Sequence, residues 1–216
     1  MARMIFLLRH AKSSWDDPSL PDHDRPLSKR GRKAAAAMRE FLRSEKICPD
    51  LVWVSSARRT RETLEALRPF DHAPKAEVKP ALYMASAQRM VELLRQAPEG
   101  ARALLLIGHN PGLEELAVLL AGAGAADEPL VRRLREKFPT GALAEFNFDG
   151  PWRRLGPGAG KLTRFVAPRS QSKSFGDISP ITPQMRRPFE RLMGSASNLC
   201  DQRAALCHRG HKSQYV

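Results

Sequence analysis

Three continuous apolar runs, each followed directly by a polar cluster, constrain the fold of this chain more than any other feature. The runs cover residues 4–8, 51–54 and 103–107. Apolar runs without alternation are typical of strands that are covered on both faces, as in a mainly parallel sheet. Because helical patterns separate the runs, the sequence predicts an α/β fold in which strands and helices alternate.

The helices and the remaining strands are predicted from capping residues and from apolar periodicity. Ser28 and Ser86 are typical N-cap residues, and each precedes a segment with an apolar face. The predicted helices cover residues 29–44, 59–67, 112–120 and 129–138, together with a helix that begins after Ser86. Two later strands are predicted at 142–148 and 161–166 as an antiparallel pair, and a short strand is predicted at 77–79.

The composition limits the partners and the setting of the protein. With 36 Lys and Arg against 23 Asp and Glu, the chain carries +13, which favours phosphorylated substrates, nucleic acid or acidic proteins. Its three cysteines form no disulfide framework, so a reducing, cytoplasmic setting is expected. No apolar run reaches the length of about 18–20 residues that a membrane span requires, and the N-terminal run is too short for a secretory signal.

The chain of 216 residues changes character near Pro168. Before this residue, apolar runs alternate with helical patterns, whereas Ser, Pro, Gln and Arg dominate after it. Residues 169–216 contain eight Lys and Arg against three Asp and Glu, and few bulky apolar residues. The sequence therefore predicts a folded domain at 1–168 and a basic, largely disordered extension at 169–216 that contains one short helix near 183–206.

The polar clusters at the ends of the three apolar runs form the candidate functional site. Arg9 and His10 follow the first run, residues 55–59 follow the second, and residues 108–112, which include His109, follow the third. In open α/β sheets, the ligand crevice lies at the carboxyl ends of the strands. Two of the six histidines and at least two arginines are therefore expected to converge there.

This expected cluster is cationic, because its motifs contain no carboxylate. A metal bound by His10 and His109 would need a third ligand, for which the four aspartates within residues 16–24 give little support. Arginine side chains suit a tetrahedral oxyanion such as phosphate, and an imidazole among them can act as a nucleophile. The residues therefore predict phosphoryl transfer through a phosphohistidine, without a metal or another cofactor.

Two of these clusters resemble motifs of the histidine phosphatase superfamily. Residues 7–12 resemble its RHG signature, with Ala11 in place of the usual glycine. Residues 55–63 resemble its second-arginine block, and the register with Thr63 identifies Arg59, rather than its neighbour, as the pocket arginine.

Two further segments extend the resemblance. Residues 108–112 resemble the second-histidine block of the superfamily, and residues 24–31, with Arg25, resemble the further pocket-arginine segment of the small SixA-type phosphohistidine phosphatases. Each motif is weak by itself. Four motifs in the right order and spacing, over residues 3–168, are specific together.

The resemblance implies a fold and the roles of seven residues. The implied fold is a three-layer α/β sandwich of the phosphoglycerate mutase type, with a central mixed, mainly parallel sheet flanked by helices. His10 is implied to be the nucleophile, phosphorylated in the intermediate, and His109 to donate a hydrogen bond to a phosphoryl oxygen. The remaining implied substrate contacts are the side chains of Arg9, Arg25 and Arg59 and, through backbone or hydroxyl groups, Thr140 and Gly141.

Two departures from the larger relatives bear on the substrate. Only residues 64–107 separate the second-arginine and second-histidine blocks, so no large helical insert is expected and the pocket should be open. The acidic proton donor of those relatives has no recognisable counterpart, although Glu77 and Glu92 are available. An alkoxide leaves slowly without an acid. These departures favour phosphohistidine in a protein, such as a phosphorelay domain, as the substrate.

Two other functions stay open at this point. The protein could hydrolyse small phosphomonoesters of a phosphorylated metabolite, or it could bind phosphate without turnover. Specific nucleic-acid binding is not favoured, because no helix-turn-helix, RNA-recognition or zinc pattern accompanies the positive charge. The leading prediction is a phosphohistidine phosphatase-like hydrolase that works without metal.

Overall fold

The computed structural model describes residues 2–168, in which one six-stranded sheet lies between two layers of helices. The strands are β1 (Ala2–Arg9), β2 (Leu51–Ser55), β3 (Lys75–Lys79), β4 (Ala103–Gly108), β5 (Leu143–Asp149) and β6 (Gly160–Val166). The helices are α1 (Lys29–Ser44), α2 (Arg58–Leu67), α3 (Ala87–Leu94), α4 (Gly112–Ala121) and α5 (Pro129–Glu136). The extension predicted at 169–216, with its helix near 183–206, lies outside the described residues.

The sheet has the strand order β3-β2-β4-β1-β5-β6. The strands β1 to β4 run parallel to one another. At one side of the sheet, β5 pairs antiparallel with β1, and β6 pairs antiparallel with β5. The three apolar runs form β1, β2 and β4 at the centre, where helices cover both faces. The predicted α/β sandwich with a mixed, mainly parallel sheet is therefore confirmed. Within the described chain, the segment between α2 and β4 holds only β3, a short turn and α3, so the predicted lack of a large insert is confirmed as well.

The two faces of the sheet bury alternate residues of each central strand. Ile5 and Leu7 of β1 pack into the core beneath α3, α4 and α5, whereas Phe6 and Leu8 pack into the core beneath α1 and α2. This division follows from the two-residue period of a strand, which sends successive side chains to opposite faces. Because both faces are covered, the interiors of the central strands are apolar and polar residues lie near the strand ends, as Arg3 and Arg9 do in β1.

Two predicted caps are present, and one predicted helix end is wrong. The Ser28 hydroxyl accepts a hydrogen bond from the Gly31 amide at 3.0 Å, and the Ser86 hydroxyl accepts one from the Arg89 amide at 3.2 Å. Helix α5 ends at Glu136, two residues before the predicted end. The chain turns to an extended conformation there, which buries the Phe138 ring and leaves its carbonyl free to accept side-chain hydrogen bonds. None of the helices in residues 2–168 is long and apolar enough to cross a membrane.

Replacement of Gly31 by alanine is expected to destabilise the protein, although alanine is the better helix former. In α1, Gly31 packs against Lys12, and a Cβ atom at residue 31 would overlap the Lys12 carbonyl oxygen. Helix propensity alone predicts a gain of about 1 kcal/mol. Since overpacking against backbone costs more, we expect the Gly31→Ala variant to lose about 1–3 kcal/mol of unfolding free energy, measured by denaturant titration.

Gly100→Ala is the matched control, because no atom lies within 4 Å of the Cβ position there. This control is expected to stay within about 0.5 kcal/mol of the wild type. A gain in unfolding free energy for Gly31→Ala would show that α1 does not approach the Lys12 carbonyl closely enough to exclude a Cβ atom.

Candidate functional site

The pairing of β1 with β4 places two histidines side by side. Arg9 at the end of β1 pairs with Gly108 at the end of β4, so that His10 and His109 are the next residues on two neighbouring parallel strands. The His10 amide donates a hydrogen bond to the Gly108 carbonyl at 3.1 Å. Their rings are tilted by 54° with centroids 5.1 Å apart. The convergence predicted for the carboxyl edge of the sheet is therefore present.

The hydrogen bonding of His10 identifies its free ring nitrogen. The ring is almost fully buried, with 8% of the residue exposed, and Nδ1 lies 2.7 Å from the Ala11 carbonyl oxygen. Because a carbonyl oxygen can only accept, Nδ1 carries the proton and donates it. In the neutral ring, the lone pair is therefore on Nε2. The Ala11 amide in turn donates to the Thr63 hydroxyl at 3.1 Å, which fixes this part of the motif to α2.

The surroundings of His10 hold its imidazole neutral. The pKa of His10 falls to about 4, chiefly because the ring is buried. The positive charges of Arg59 and Arg9 also lower this pKa, whereas the hydrogen bond to Ala11 raises it. The imidazole is therefore unprotonated at neutral pH. A neutral imidazole is the form that can attack phosphorus.

The depressed pKa of His10 predicts a late titration. NMR of the imidazole nitrogens should show no protonation of His10 between pH 8 and 5, and half-protonation near pH 4. A His10→Asn variant, which lacks the signal, provides its assignment. Titration of His10 near its ordinary pKa of about 6.5 would contradict the buried, cationic environment.

The same pKa difference links stability to pH. Between about pH 4 and 6.5 the unfolded chain binds a proton at His10 that the folded protein does not, so this residue contributes stability that rises with pH across that window. At pH 4 the unfavourable contribution should approach about 3 kcal/mol. We expect the unfolding free energy of wild type to fall more steeply than that of His10→Asn upon acidification, as measured by urea titration at each pH.

Helix α2 delivers Arg59 into the cluster and leaves its neighbours outside. Arg59 is buried, with 5% of the residue exposed, whereas Arg58 is exposed and pairs with Glu62. The Arg59 Nη2 atom donates to the Asp22 carboxylate at 2.9 Å and lies 3.2 Å from His109 Nδ1. Its Nη1 atom donates to the Asp22 backbone carbonyl. The register inferred from Thr63 thus selects the arginine that lies in the cluster.

The hydrogen bonds of His109 fix its orientation. Since a guanidinium can only donate, His109 Nδ1 accepts from Arg59, and Nε2–H donates to the Ser55 hydroxyl at 2.8 Å. Burial, then the neighbouring His10 and Arg59, lower the pKa of His109 to about 3. In this arrangement the donor nitrogen of His109 is directed at Ser55, so donation to a phosphoryl oxygen would need a proton on Nδ1.

A turn before β5 holds the backbone of the first motif. The Gly141 amide donates to the carbonyls of both Arg9 and His10 at 3.0 Å. The backbone φ at residue 141 is +79°, a conformation that glycine adopts readily and other residues rarely do. The Gly141 amide is therefore engaged with backbone, while Thr140 lies half-buried in the same turn. The Arg9 Nη1 atom donates to the Phe138 carbonyl at 2.7 Å, and burial lowers the pKa of its guanidinium.

Arg25 lies at the exposed side of the cluster. Its guanidinium stacks on the Trp15 ring at 3.5 Å from the centroid, and its Nη1 atom lies 3.9 Å from an Asp22 carboxylate oxygen. The Nε and Nη1 atoms are buried without a hydrogen-bond partner. Arg25 therefore retains donor capacity beside the cluster, and its contact with Asp22 is a long one.

Two groups that sequence reasoning did not assign to the site, Asp22 and Tyr83, complete it. The Tyr83 hydroxyl donates to the Asp22 carboxylate at 2.9 Å, and the Tyr83 ring lies edge-on to His109 with centroids 5.6 Å apart. Asp22 is one of the four aspartates within residues 16–24, which were considered from the sequence only as poorly supported metal ligands. Tyr83 follows a short turn after β3 and has no motif in the sequence.

The described part of the chain contains no group of three or more His, Cys, Asp or Glu residues placed to hold a metal ion. The two carboxylates available from the sequence as proton donors lie in other ion pairs. Glu77 pairs with Lys75 and Lys79, whose hydrogen bonds lower its pKa to about 2, and Glu92 pairs with Arg89. Neither has a contact with the histidine pair.

Comparison with known proteins places this cluster in a family. Residues 5–83 match the family model of the histidine phosphatase superfamily, branch 1. The structure of SixA from Nakamurella multipartitia superposes with a TM-score of 0.70 at 27% identity, over 79% of this chain and 98% of that one. The chain belongs to the histidine phosphatase superfamily.

Two further proteins match the same region. A protein histidine phosphatase SixA solved with tungstate superposes with a TM-score of 0.62 at 25% identity, over 76% of this chain and 97% of that one. An uncharacterized Mycobacterium tuberculosis protein, Rv1276c, is 36% identical over 162 residues, which cover 75% of this chain and 100% of the relative. The resemblance first drawn from four short motifs thus extends over the whole folded unit.

Proposed function

We propose that this protein is a metal-independent phosphatase that removes phosphate from phosphohistidine in a protein, through a phosphohistidine intermediate at His10. The observation that carries the proposal is the buried His10 imidazole, neutral and with its Nε2 lone pair free, beside the guanidinium groups of Arg9 and Arg59. A nucleophile surrounded by fixed cations suits the attack on a phosphoryl group, whose charge the cations stabilise.

In the first step, His10 Nε2 attacks phosphorus while the bond from phosphorus to the leaving nitrogen breaks, and that nitrogen takes up a proton from solvent. Arg9, Arg25 and Arg59 bind the phosphoryl oxygens, with His109 beside them. The hydrogen bond from His10 Nδ1 to Ala11 stabilises the positive charge that develops on the ring. In the second step, water attacks phosphorus, the bond to Nε2 breaks, and orthophosphate and a proton are released.

The charges around the site favour a phosphoramidate over an ester. Asp22, a carboxylate of the cluster, accepts hydrogen bonds from Arg59 and Tyr83, which favour its ionised form. An ionised carboxylate cannot protonate an alkoxide leaving group. The nitrogen of a phosphohistidine leaves readily once it is protonated, and it needs less help from the enzyme.

The comparisons support an oxyanion at this site and a protein-borne substrate. The protein histidine phosphatase SixA was solved with tungstate, a tetrahedral oxyanion like phosphate. All the groups assigned here lie within residues 1–168, so we propose that this unit carries the activity. The phosphorelay domain or other phosphoprotein acted on would be a cytoplasmic one.

The test compares three substrates in EDTA: phosphoramidate, para-nitrophenyl phosphate and a synthetic peptide phosphorylated on histidine. The expected result is that kcat/KM is highest for the phosphohistidine peptide, lower for phosphoramidate and lowest for the ester. A preference for the ester would replace the proposal with a phosphatase of small phosphomonoesters. No release from any substrate, combined with measurable phosphate binding, would make the pocket a binding site without turnover.

A further inference from the structure

Asp22 and His109 already engage several of the donors with which Arg59 would bind a phosphoryl group. The Arg59 Nη2 atom donates to the Asp22 carboxylate at 2.9 Å and to His109 Nδ1 at 3.2 Å, which uses both of its hydrogens. One Nη1 hydrogen is directed at the Asp22 backbone carbonyl. Residue 22 thus occupies two of the five N–H donors of Arg59, and His109 occupies a third.

The Asp22 carboxylate is held at this position by more than Arg59. The Tyr83 hydroxyl donates to the same oxygen at 2.9 Å, and Arg25 Nη1 lies 3.9 Å from the other oxygen. Burial acts to raise the pKa of Asp22, but the hydrogen bonds from Tyr83 and Arg59 outweigh it, so that the pKa lies below its ordinary value. The carboxylate is therefore an anion that contacts two of the three arginines assigned to phosphate.

We infer that Asp22 is a specificity-determining residue that competes with the phosphoryl group, and with product orthophosphate, for Arg59. The inference rests on the proposed function, because that proposal assigns Arg59 to the phosphoryl oxygens. An oxyanion that bonds to Nη2 of Arg59 has to displace the carboxylate, so weakly charged anions bind less tightly. The same competition speeds the release of orthophosphate after each turnover.

The local fold allows Asp22 to leave Arg59 without disturbing the core. Asp22 begins a three-residue turn, Asp22–Asp24, that contains no buried residue, and half of the Asp22 side chain is exposed. Arg59, in contrast, is buried in α2. The exposed partner can therefore move while the buried guanidinium stays in place, which is the arrangement that a displaceable internal anion requires.

The test is the affinity of Asp22→Asn for orthophosphate and for tungstate, measured by calorimetry, with orthophosphate inhibition of phosphoramidate hydrolysis as a second measurement. The asparagine oxygen can still accept from Arg59 and Tyr83, but it lacks the charge that competes with an oxyanion. We expect Kd for both anions and the orthophosphate inhibition constant to fall about tenfold. Tyr83→Phe, which removes one restraint on the carboxylate, should lower these constants by a smaller factor.

Asp24→Asn is the matched control, because it removes the same charge from the same turn. The Asp24 carboxylate contacts His23 rather than Arg59, so its loss should leave anion affinity unchanged. A role of Asp22 in holding Arg59 ready for phosphate predicts the opposite sign, weaker binding in Asp22→Asn. The inference would be overturned if Asp22→Asn bound the anions more weakly than wild type or with equal affinity. It would also be overturned if Asp24→Asn gained as much affinity as Asp22→Asn.

The binding experiment is independent of turnover. If the protein binds orthophosphate but hydrolyses none of the three substrates, the proposed function fails while the comparison of affinities still decides the role of Asp22. If hydrolysis is observed and Asp22→Asn binds anions no more tightly than wild type, the inference fails and the proposed function stands.

Discussion

Replacement of His10 by alanine should abolish phosphoramidate hydrolysis, with a loss of at least about 1,000-fold in kcat. The residue supplies the only nitrogen that the proposal assigns as nucleophile, and its Nε2 lone pair lies among Arg9 and Arg59 in a buried site. The measurement is the steady-state release of orthophosphate in EDTA. Rapid quenching should also trap an acid-labile, base-stable phosphoenzyme in wild type and none in His10→Ala.

His72→Ala is the control for this prediction. His72 lies in the loop before β3, at the amino ends of the parallel strands and so at the opposite edge of the sheet from His10. It should retain both the activity and the phosphoenzyme of wild type. A phosphoenzyme that persists in His10→Ala would place the nucleophile elsewhere and reject the proposed mechanism.

Replacement of Arg59 by lysine should lower kcat/KM for phosphoramidate by about 100- to 1,000-fold. Lysine keeps the positive charge but loses the planar fork that bonds two oxygens at once, and it cannot keep the contact with His109 and Asp22 together. The decrease should appear chiefly in kcat, because the lost contacts are those that strengthen as charge develops on the phosphoryl oxygens. Phosphoenzyme formation in a single turnover is the direct measurement.

Arg61→Lys is the matched control for Arg59→Lys, since Arg61 is exposed on the same helix two residues further on. It should leave kcat/KM within about twofold of wild type. An equal decrease in both variants would mean that a general disturbance of α2, rather than the loss of a bidentate contact by one buried guanidinium, lowers the activity.

Much of the fold could be predicted because its central strands are buried on both faces. The interior of such a strand has to be apolar, and the apolar runs at residues 4–8, 51–54 and 103–107 therefore predicted β1, β2 and β4. The caps Ser28 and Ser86 followed from local hydrogen bonding. The end of α5 could not be predicted, because it depends on a Phe138 carbonyl that receives hydrogen bonds from a strand far away in the chain.

The histidines and arginines of the candidate site could be predicted from the sequence for a related reason. Residues at the carboxyl ends of parallel strands meet at one edge, so Arg9, His10 and His109 could be grouped from the strand pattern alone. Arg59 needed the register of a family motif to be chosen over Arg58. Their partners Asp22 and Tyr83 could not be predicted from the sequence, because these two residues lie on short turns whose positions depend on the packing of the whole sheet.

The sequence by itself determined most of the strand and helix pattern and the membership of a family, and it led to the chemistry proposed, because these depend on residue type and local spacing. Only the tertiary structure decided which atoms of those residues are free to react. The contact of His10 Nδ1 with Ala11 leaves the Nε2 lone pair free, and burial beside arginines keeps that ring neutral. The contact of Asp22 with Arg59 is likewise a result of packing, because 37 positions separate the two residues along the chain.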